Sequence, residues 1–294
     1  AAYMYNSTSA FSTVSFAGNL SGGGGAFYIS YASPVLNNCI FTDNVSSGDG
    51  GAFSTHSSSP TLTNALFSSN TAGNNGGAII FYSNSVQYNA TLNNVTLSDN
   101  QATANGGGIR FASNNALSTL NINNSIIWGN SATTSGNEMS LVSTGTTTLN
   151  YSCYKNETND VVVTNGTLTA TNNNTTFNPG FVDPASGDFR IRGFSLCRDN
   201  GSNGYNALAT DIRGEARIQN TTIDIGAYEW TDGTDPLYNA ENVIFVDIDA
   251  SGADNGSGWA DAFTSMQSAL NAATSGAEIW VAKGTYKQIG RAHV

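Results

Sequence analysis

A short apolar motif returns at a nearly constant distance, and no other feature limits the fold as much. Gly-Gly-Ala-Phe stands at Gly24 to Phe27 and at Gly50 to Phe53. It returns as Gly-Gly-Ala-Ile at Gly76 to Ile79 and as Gly-Gly-Gly-Ile at Gly106 to Ile109. The offsets are 26, 26 and 30. A second marker keeps step: Ile40-Phe41-Thr42-Asp43-Asn44, Leu66-Phe67-Ser68-Ser69-Asn70, Thr96-Leu97-Ser98-Asp99-Asn100 and Ile126-Ile127-Trp128-Gly129-Asn130. Its offsets are 26, 30 and 30. Two markers locked to one period predict a stack of structural repeats.

Within one repeat, Gly51 to Ser54 is short and apolar, and Ser57-Ser58-Ser59-Pro60 makes a turn. Thr61 to Phe67 alternates into a second strand with a bend at Asn64, and Ser68 to Asn75 leads to the next glycine pair. No helical period lies between the strands. Parallel strands without crossover helices can still be joined if the chain coils and each turn stacks on the last, which is a parallel β-helix. The general bias of parallel connections makes it right-handed. Three interior columns follow: Phe27, Phe53, Ile79 and Ile109; Leu36, Leu62, Leu92 and Leu120 or Ile122; Phe41, Phe67, Leu97 and Ile127. Asn38, Asn64, Asn94 and Asn124 also stay in register, as expected of bends with left-handed φ whose amides bond between coils. A flexible linker would carry no such columns.

Charge is scarce where the repeat is clearest. Charged residues are 11% of the chain, against about 25% in an ordinary domain. Residues 1–150 hold four acids (Asp43, Asp49, Asp99, Glu138) and one base (Arg110). The net charge of −11 argues against a nucleic-acid partner, because neutralising phosphates needs clustered Lys and Arg. No apolar run approaches the ~20 residues of a membrane-spanning helix.

The repeat fades after Asn130, although residues 141–176 still read as irregular strands. Then come Asn178-Pro179-Gly180-Phe181-Val182-Asp183-Pro184, Gly187-Asp188-Phe189-Arg190-Ile191, Asp211-Ile212-Arg213-Gly214 with Arg217, and Asp224-Ile225-Gly226-Ala227-Tyr228-Glu229. This set resembles the choice-of-anchor Q region of bacterial secreted right-handed β-helix proteins, and the coils ahead of it are similar to polymorphic outer-membrane-protein repeats. The loop Ser195-Leu196-Cys197-Arg198-Asp199-Asn200-Gly201 departs from the family's serine–proline version. The resemblance implies an architecture and display outside a bacterial cell, secreted or on the surface. It implies no reaction. The charged residues Arg190, Arg192, Arg213, Arg217, Asp183, Asp188, Asp211, Asp224 and Glu229 read either as an acid/base or anion site or as a salt-bridged cap over the solenoid end, and the cap is favoured.

Residues 231–241 have linker composition. A strand at Val243 to Asp247, a helical period over Ala262 to Ala273 and a strand at Glu278 to Ala282 resemble the N-terminal cap of a secreted β-helix. The helical period places Phe263, Met266, Ala269, Leu270 and Ala273 on one face, and Gly276 stops it. The expected order is therefore repeats at 1–140, irregular end coils and a capping segment at 141–230, a linker at 231–241, and the truncated cap of a second β-helix at 242–287. Residues 288–294 read as a translated sequencing adapter, and the chain as a metagenomic-style fragment open at both ends.

Several candidate sites remain. Asp247, Asp249 and Asp254 lie in a Gly-rich loop that offers oxygens to calcium, but the spacing departs from the EF-hand and Gly258 replaces its bidentate Glu. No cofactor is otherwise indicated. Cys39 falls in an apolar strand as a small core residue. Cys153 and Cys197 lie outside the repeats and are a candidate disulfide in an oxidising compartment. A β-helix lyase or glycosidase needs a base beside carboxylates or two carboxylates at a set separation. The columns Asp43, Ser69, Asp99, Gly129 and Asp49, Asn75, Asn105 put no two acids on adjacent coils. His56 reads as a solvated residue of a Ser-rich turn. The leading expectation is a non-catalytic adhesin, stalk or scaffold. A carbohydrate-binding module would show exposed aromatics along one face, with Tyr28, Tyr31, Tyr82 and Tyr88 as candidates and polysaccharide or surface glycans as partners. A polysaccharide lyase or glycosidase would keep its site in other parts of a longer chain.

Overall fold

The computed structural model describes residues 1–231, 243–273, 278–282 and 284–285, in two units that divide at Thr231 and Asp232. The linker at 231–241 and the segment 288–294 lie, apart from Thr231, outside the described residues.

The first unit is an all-β solenoid of parallel stacked sheets. One sheet stacks seven strands, from Ala2–Tyr5 through Phe27–Ser30, Phe53–His56, Ile79–Ser83, Ile109–Ser113 and Met139–Ser143 to Val161–Thr164. A second, larger sheet takes the Leu36 strands and, past a bend, the Phe41 strands, and a third is built from two-residue strands such as Val45–Ser46 and Thr71–Ala72. The expected columns hold. Phe27, Phe53, Ile79, Ile109, Met139 and Val161 are successive partners in the first sheet. Leu36, Leu62, Leu92 and Ile122 are partners in the second, so Ile122 rather than Leu120 continues that column. Phe41 stacks on Phe67 at 4.5 Å with an interplanar angle of 3°. Nearly all of these side chains are fully buried in one core.

The glycine pair has two separate causes. Gly24, Gly50, Gly76 and Gly106 take φ between 60° and 71°, and Gly136 keeps the corner in the next coil at 69°. The second glycine has no room: a Cβ at Gly51 would lie 2.0 Å from the carbonyl oxygen of Gly77 in the next coil. Coiling therefore continues to Thr171, beyond the point where the sequence signature fades.

Asparagines tie the coils, but in a different column from the one expected. Asn38, Asn64, Asn94 and Asn124 do take left-handed φ, yet only one amide bond links them, from Asn64 to Asn38 at 3.1 Å. The continuous ladder is Asn44, Asn70, Asn100 and Asn130. Each Nδ2 donates to the Oδ1 of the next, at 2.9 Å and then twice at 2.8 Å. Each also donates back to a carbonyl of the preceding coil, those of Phe16, Phe41, Phe67 and Leu97. The Asn38 column instead faces the segment that follows the coils.

That segment packs along the flank. Ile40, Leu66, Ile126, Cys153 and Trp128 point outward from the second sheet, and Phe181, Phe189, Ile191, Cys197, Ile225, Tyr228 and Trp230 cover them in a second apolar cluster. Gly226 and Ala227 donate to Asn124 O and Thr96 Oγ1, and Asn64 donates to Thr210 O. The expected cover over the solenoid end thus has its described contacts on the side wall, because an apolar outward column needs burial as much as an open end does.

In the second unit, Val243–Val246 pairs in parallel with Glu278–Val281, with a helix at Met266–Ala272 between them. The helix is shorter than its apolar period because Phe263 instead bridges Val246. Ala269 is buried, whereas Leu270, expected on the same face, is 54% exposed. Gly276 lies outside the described residues.

Candidate functional site

The outer face of the first sheet carries a ladder of aromatic rings. Register places Tyr3 beside Tyr28, and Ser30, His56 and Tyr82 in line on successive coils. Tyr3 and Tyr28 stack at 5.6 Å with their planes 11° apart. Tyr5 meets Tyr31 edge to face at 6.1 Å, Tyr31 meets His56 edge to face at 5.3 Å, and His56 stacks on Tyr82 at 5.6 Å. The run crosses four coils, roughly 15 Å at the usual spacing between strands. Exposure is 68% at Tyr3, 61% at Tyr5, 47% at Tyr31 and 38% at Tyr82. A contiguous exposed aromatic surface is a feature of interaction sites, whereas the other exposed apolar side chains of the coils, such as Leu20 and Leu117, carry no such run of ring contacts.

The structure sorts the sequence candidates. Tyr28, Tyr31 and Tyr82 are in the ladder. Tyr88 is not: it is buried against Phe111 at 5.6 Å, its hydroxyl donates to Ala112 O, and burial pushes its ionisation far up. His56 ends the strand Phe53–His56, half-buried between Tyr31 and Tyr82, and is not a solvated turn residue. Alternation along the strand explains this, since Phe53 points in and His56 is an odd number of residues away. Tyr3 and Tyr5 were not singled out from the sequence, although their i, i+2 spacing puts both on one face of a strand.

Asp43, Ser69, Asp99 and Gly129 are exposed corners with φ between 56° and 80°. Asp49, Asn75 and Asn105 form a second amide ladder, with Asn75 donating to Asp49 and Asn105 to Asn75, both at 3.0 Å. Arg110 lies on the first sheet and donates to Ser140 Oγ at 2.9 Å, and burial lowers its ionisation against the opposing Asp49 carboxylate.

The charges of the flanking segment act on that segment itself. Asp211 accepts from the backbone amides of Arg213, Glu215 and Glu229 at 2.8, 3.0 and 3.0 Å. Asp224 accepts from the amides of Asp199 and Trp230, and burial pushes it up to about 6. Arg217 is fully buried, with Nε 3.8 Å from Glu229 and a second nitrogen donating to Asp224 O. Burial, with the Asp224 charge adding, pushes Glu229 to about 8. Asp188 sits under a two-nitrogen grip from Arg190. In this way the group clasps loops of the segment together, although Arg217 Nε and Nη1 and Glu229 Oε1 are buried with no hydrogen-bond partner.

Cys39, Cys153 and Cys197 are buried free thiols. Cys153 and Cys197 share the flank cluster. In the second unit, Asp247 accepts from Asp249 N, and Asp254 accepts from Thr264 N at 2.7 Å. Among the described residues no three acidic, His or Cys side chains gather as a metal set would. No described helix is long and apolar enough to cross a membrane, which leaves β-barrels untouched.

Comparison with known proteins gives two family matches. Residues 38–56 match the Chlamydia polymorphic membrane protein repeat, and residues 86–204 match a domain of unknown function, DUF5123. The first match runs from the Asn38 bend through Asn44 and the Gly50–Gly51 corner to His56 of the ladder. Such a repeat points to a surface or outer-membrane protein. No curated protein and no solved structure matches the chain.

Proposed function

We propose that this chain is a non-catalytic solenoid displayed outside a bacterial cell, an adhesin or scaffold whose contact surface is the aromatic ladder. The observation that carries the proposal is the line of exposed tyrosines, which meets the matched polymorphic membrane protein repeat at its last residue, His56. The polar residues of the coils support it from the other side. Asn44 to Asn130 and Asp49 to Asn105 are spent on inter-coil bonds, so the repeat is built for rigidity. The motifs of residues 178–229 support secretion with a choice-of-anchor Q-like segment. Adhesion of cells displaying the chain to surfaces coated with host or bacterial glycans tests the reading. Adhesion above that of undecorated cells supports it, and release of unsaturated or reducing sugar ends from any polysaccharide overturns its non-catalytic part.

The same ladder favours one narrower reading, a carbohydrate-binding module. The edge-to-face contacts of Tyr31 leave aromatic surface for the apolar face of a sugar ring. Binding of the purified chain to a polysaccharide on a glycan array supports this, and silence across the array sinks it.

A further inference from the structure

Two cysteines meet where the flanking segment crosses the solenoid wall. Cys153 follows Ile126 in the outward column of the second sheet and pairs with it in register. Cys197 arrives from the loop Ser195–Gly201. That loop is fixed at three points: Cys197 N donates to Ser195 Oγ at 3.0 Å, Ser195 Oγ donates to Pro179 O, and Ile225 N donates to Cys197 O at 2.8 Å. Both thiols are fully buried in one apolar cluster, where Cys153 Sγ donates to Phe177 O at 3.2 Å and the neighbouring Cys197 adds to the rise in the Cys153 ionisation. Cys39 is buried in the inner column beside Ala65 and Val95, in the separate main core.

We propose that Cys153 and Cys197 form a disulfide in the mature protein, a covalent staple that holds the flanking segment to the coils. The two thiols lose two protons and two electrons to a disulfide oxidant, such as oxidised glutathione or a disulfide oxidoreductase. The oxidant becomes two thiols through a mixed-disulfide intermediate. Burial holds the Cys153 thiol well above its ordinary ionisation, and the thiolate is the attacking species. Oxidation therefore accompanies docking of the segment during folding, and the reduced native protein oxidises slowly. The staple is independent of what the aromatic ladder binds.

The whole chain, unfolded under reducing conditions and refolded in a mixture of reduced and oxidised glutathione, tests this. The chain has three cysteines, so thiol titration in denaturant after refolding is expected to find one. Peptide mapping without reductant is expected to join the Cys153 and Cys197 peptides and leave Cys39 alone. Cys39→Ser keeps the bridge, and Cys153→Ser with Cys197→Ser lowers the Tm by about 5–15 °C. Three titratable thiols, or a bridge involving Cys39, overturns the proposal even if the double variant fails to fold.

Discussion

The side-chain amide of Asn130 donates to the Glu138 carboxylate at 2.6 Å, and there the buried asparagine ladder ends. The same carboxylate accepts from the backbone amides of Gly129 at 2.8 Å and Asn130 at 3.3 Å. A ladder of amides running one way needs an acceptor at its last rung, and Glu138 supplies it from inside the coil. Despite those donors, burial pushes Glu138 from 4.5 to about 7.

A pH dependence follows from that position. An acid whose folded value lies above its unfolded value holds its proton more tightly when folded. Its favourable contribution is complete below about 4.5 and is lost as the pH rises through about 7. Glu229, raised to about 8, acts in the same direction. Thermal melts are expected to show a higher Tm at pH 5 than at pH 8.5, with Glu138 responsible for up to ~3 kcal/mol of the difference. Glu138→Gln keeps an acceptor for Asn130 and flattens the dependence. An unchanged slope in that variant would remove Glu138 from this role.

Cutting the ladder at its middle is costly. Asn100→Ala leaves the Asn70 amide and its backbone N–H without their acceptor, in a position with no access to water. Each stranded donor costs about 1–3 kcal/mol, so a loss of about 2–5 kcal/mol is expected in denaturant unfolding. Substitution at exposed Ser69, one residue from Asn70, is expected to change stability by less than about 0.5 kcal/mol if its left-handed φ is respected, as in Ser69→Asn.

The second glycine of each pair is a steric requirement. Gly51→Ala would set a methyl 2.0 Å from Gly77 O and 2.7 Å from the backbone of Thr71. The coils must part to accept it, at a cost of at least about 3 kcal/mol. Circular dichroism melts of the variant measure this, and a wild-type Tm would contradict the stacking described.

Gly226 plays the corresponding part at the flank. A Cβ there would meet Ile126 Cδ1 at 2.7 Å, at a φ of 107° that strains any other residue. Gly226→Ala is expected to loosen the flanking segment while the coils stay folded. Limited proteolysis should then cut between residues 178 and 230 several-fold faster, with the strand signal of the coils retained.

The period made most of the coil legible. Phe41, Phe67, Leu97 and Ile127 recur in phase, and in-phase apolar residues in a parallel stack have only the interior to occupy. Leu120 and Ile122 could not be separated because they are two apart on one face, and both are buried. Two asparagine columns share the same period, and nothing local tells which is enclosed. Asn44 to Asn130 became the ladder because the coil wraps them, while Asn64 and Asn124 serve the flanking segment. Tyr88 stands just before the strand Asn89–Ser98, where alternation gives no phase, whereas His56 closes the strand Phe53–His56 and the serines after it hide a phase that Phe53 already sets. The flank contact joins Thr96 to Ala227 and Asn64 to Thr210, distances in sequence that no periodicity spans. The ladder was legible only in part, since an outward tyrosine and an inward one look alike until the register is known.

The aromatic ladder is tested most directly by one comparison. Tyr31→Ala with Tyr82→Ala removes the middle and far end of the exposed run and leaves the buried columns intact. Each lost aromatic contact is worth about 0.5–1.5 kcal/mol, so binding to the glycan-coated surface that retains the wild-type chain should fall by about 5-fold or more. The Tm should stay within a few degrees of wild type. Equal retention of the wild-type and doubly substituted chains, at equal Tm, would contradict the assignment of this face as the contact surface.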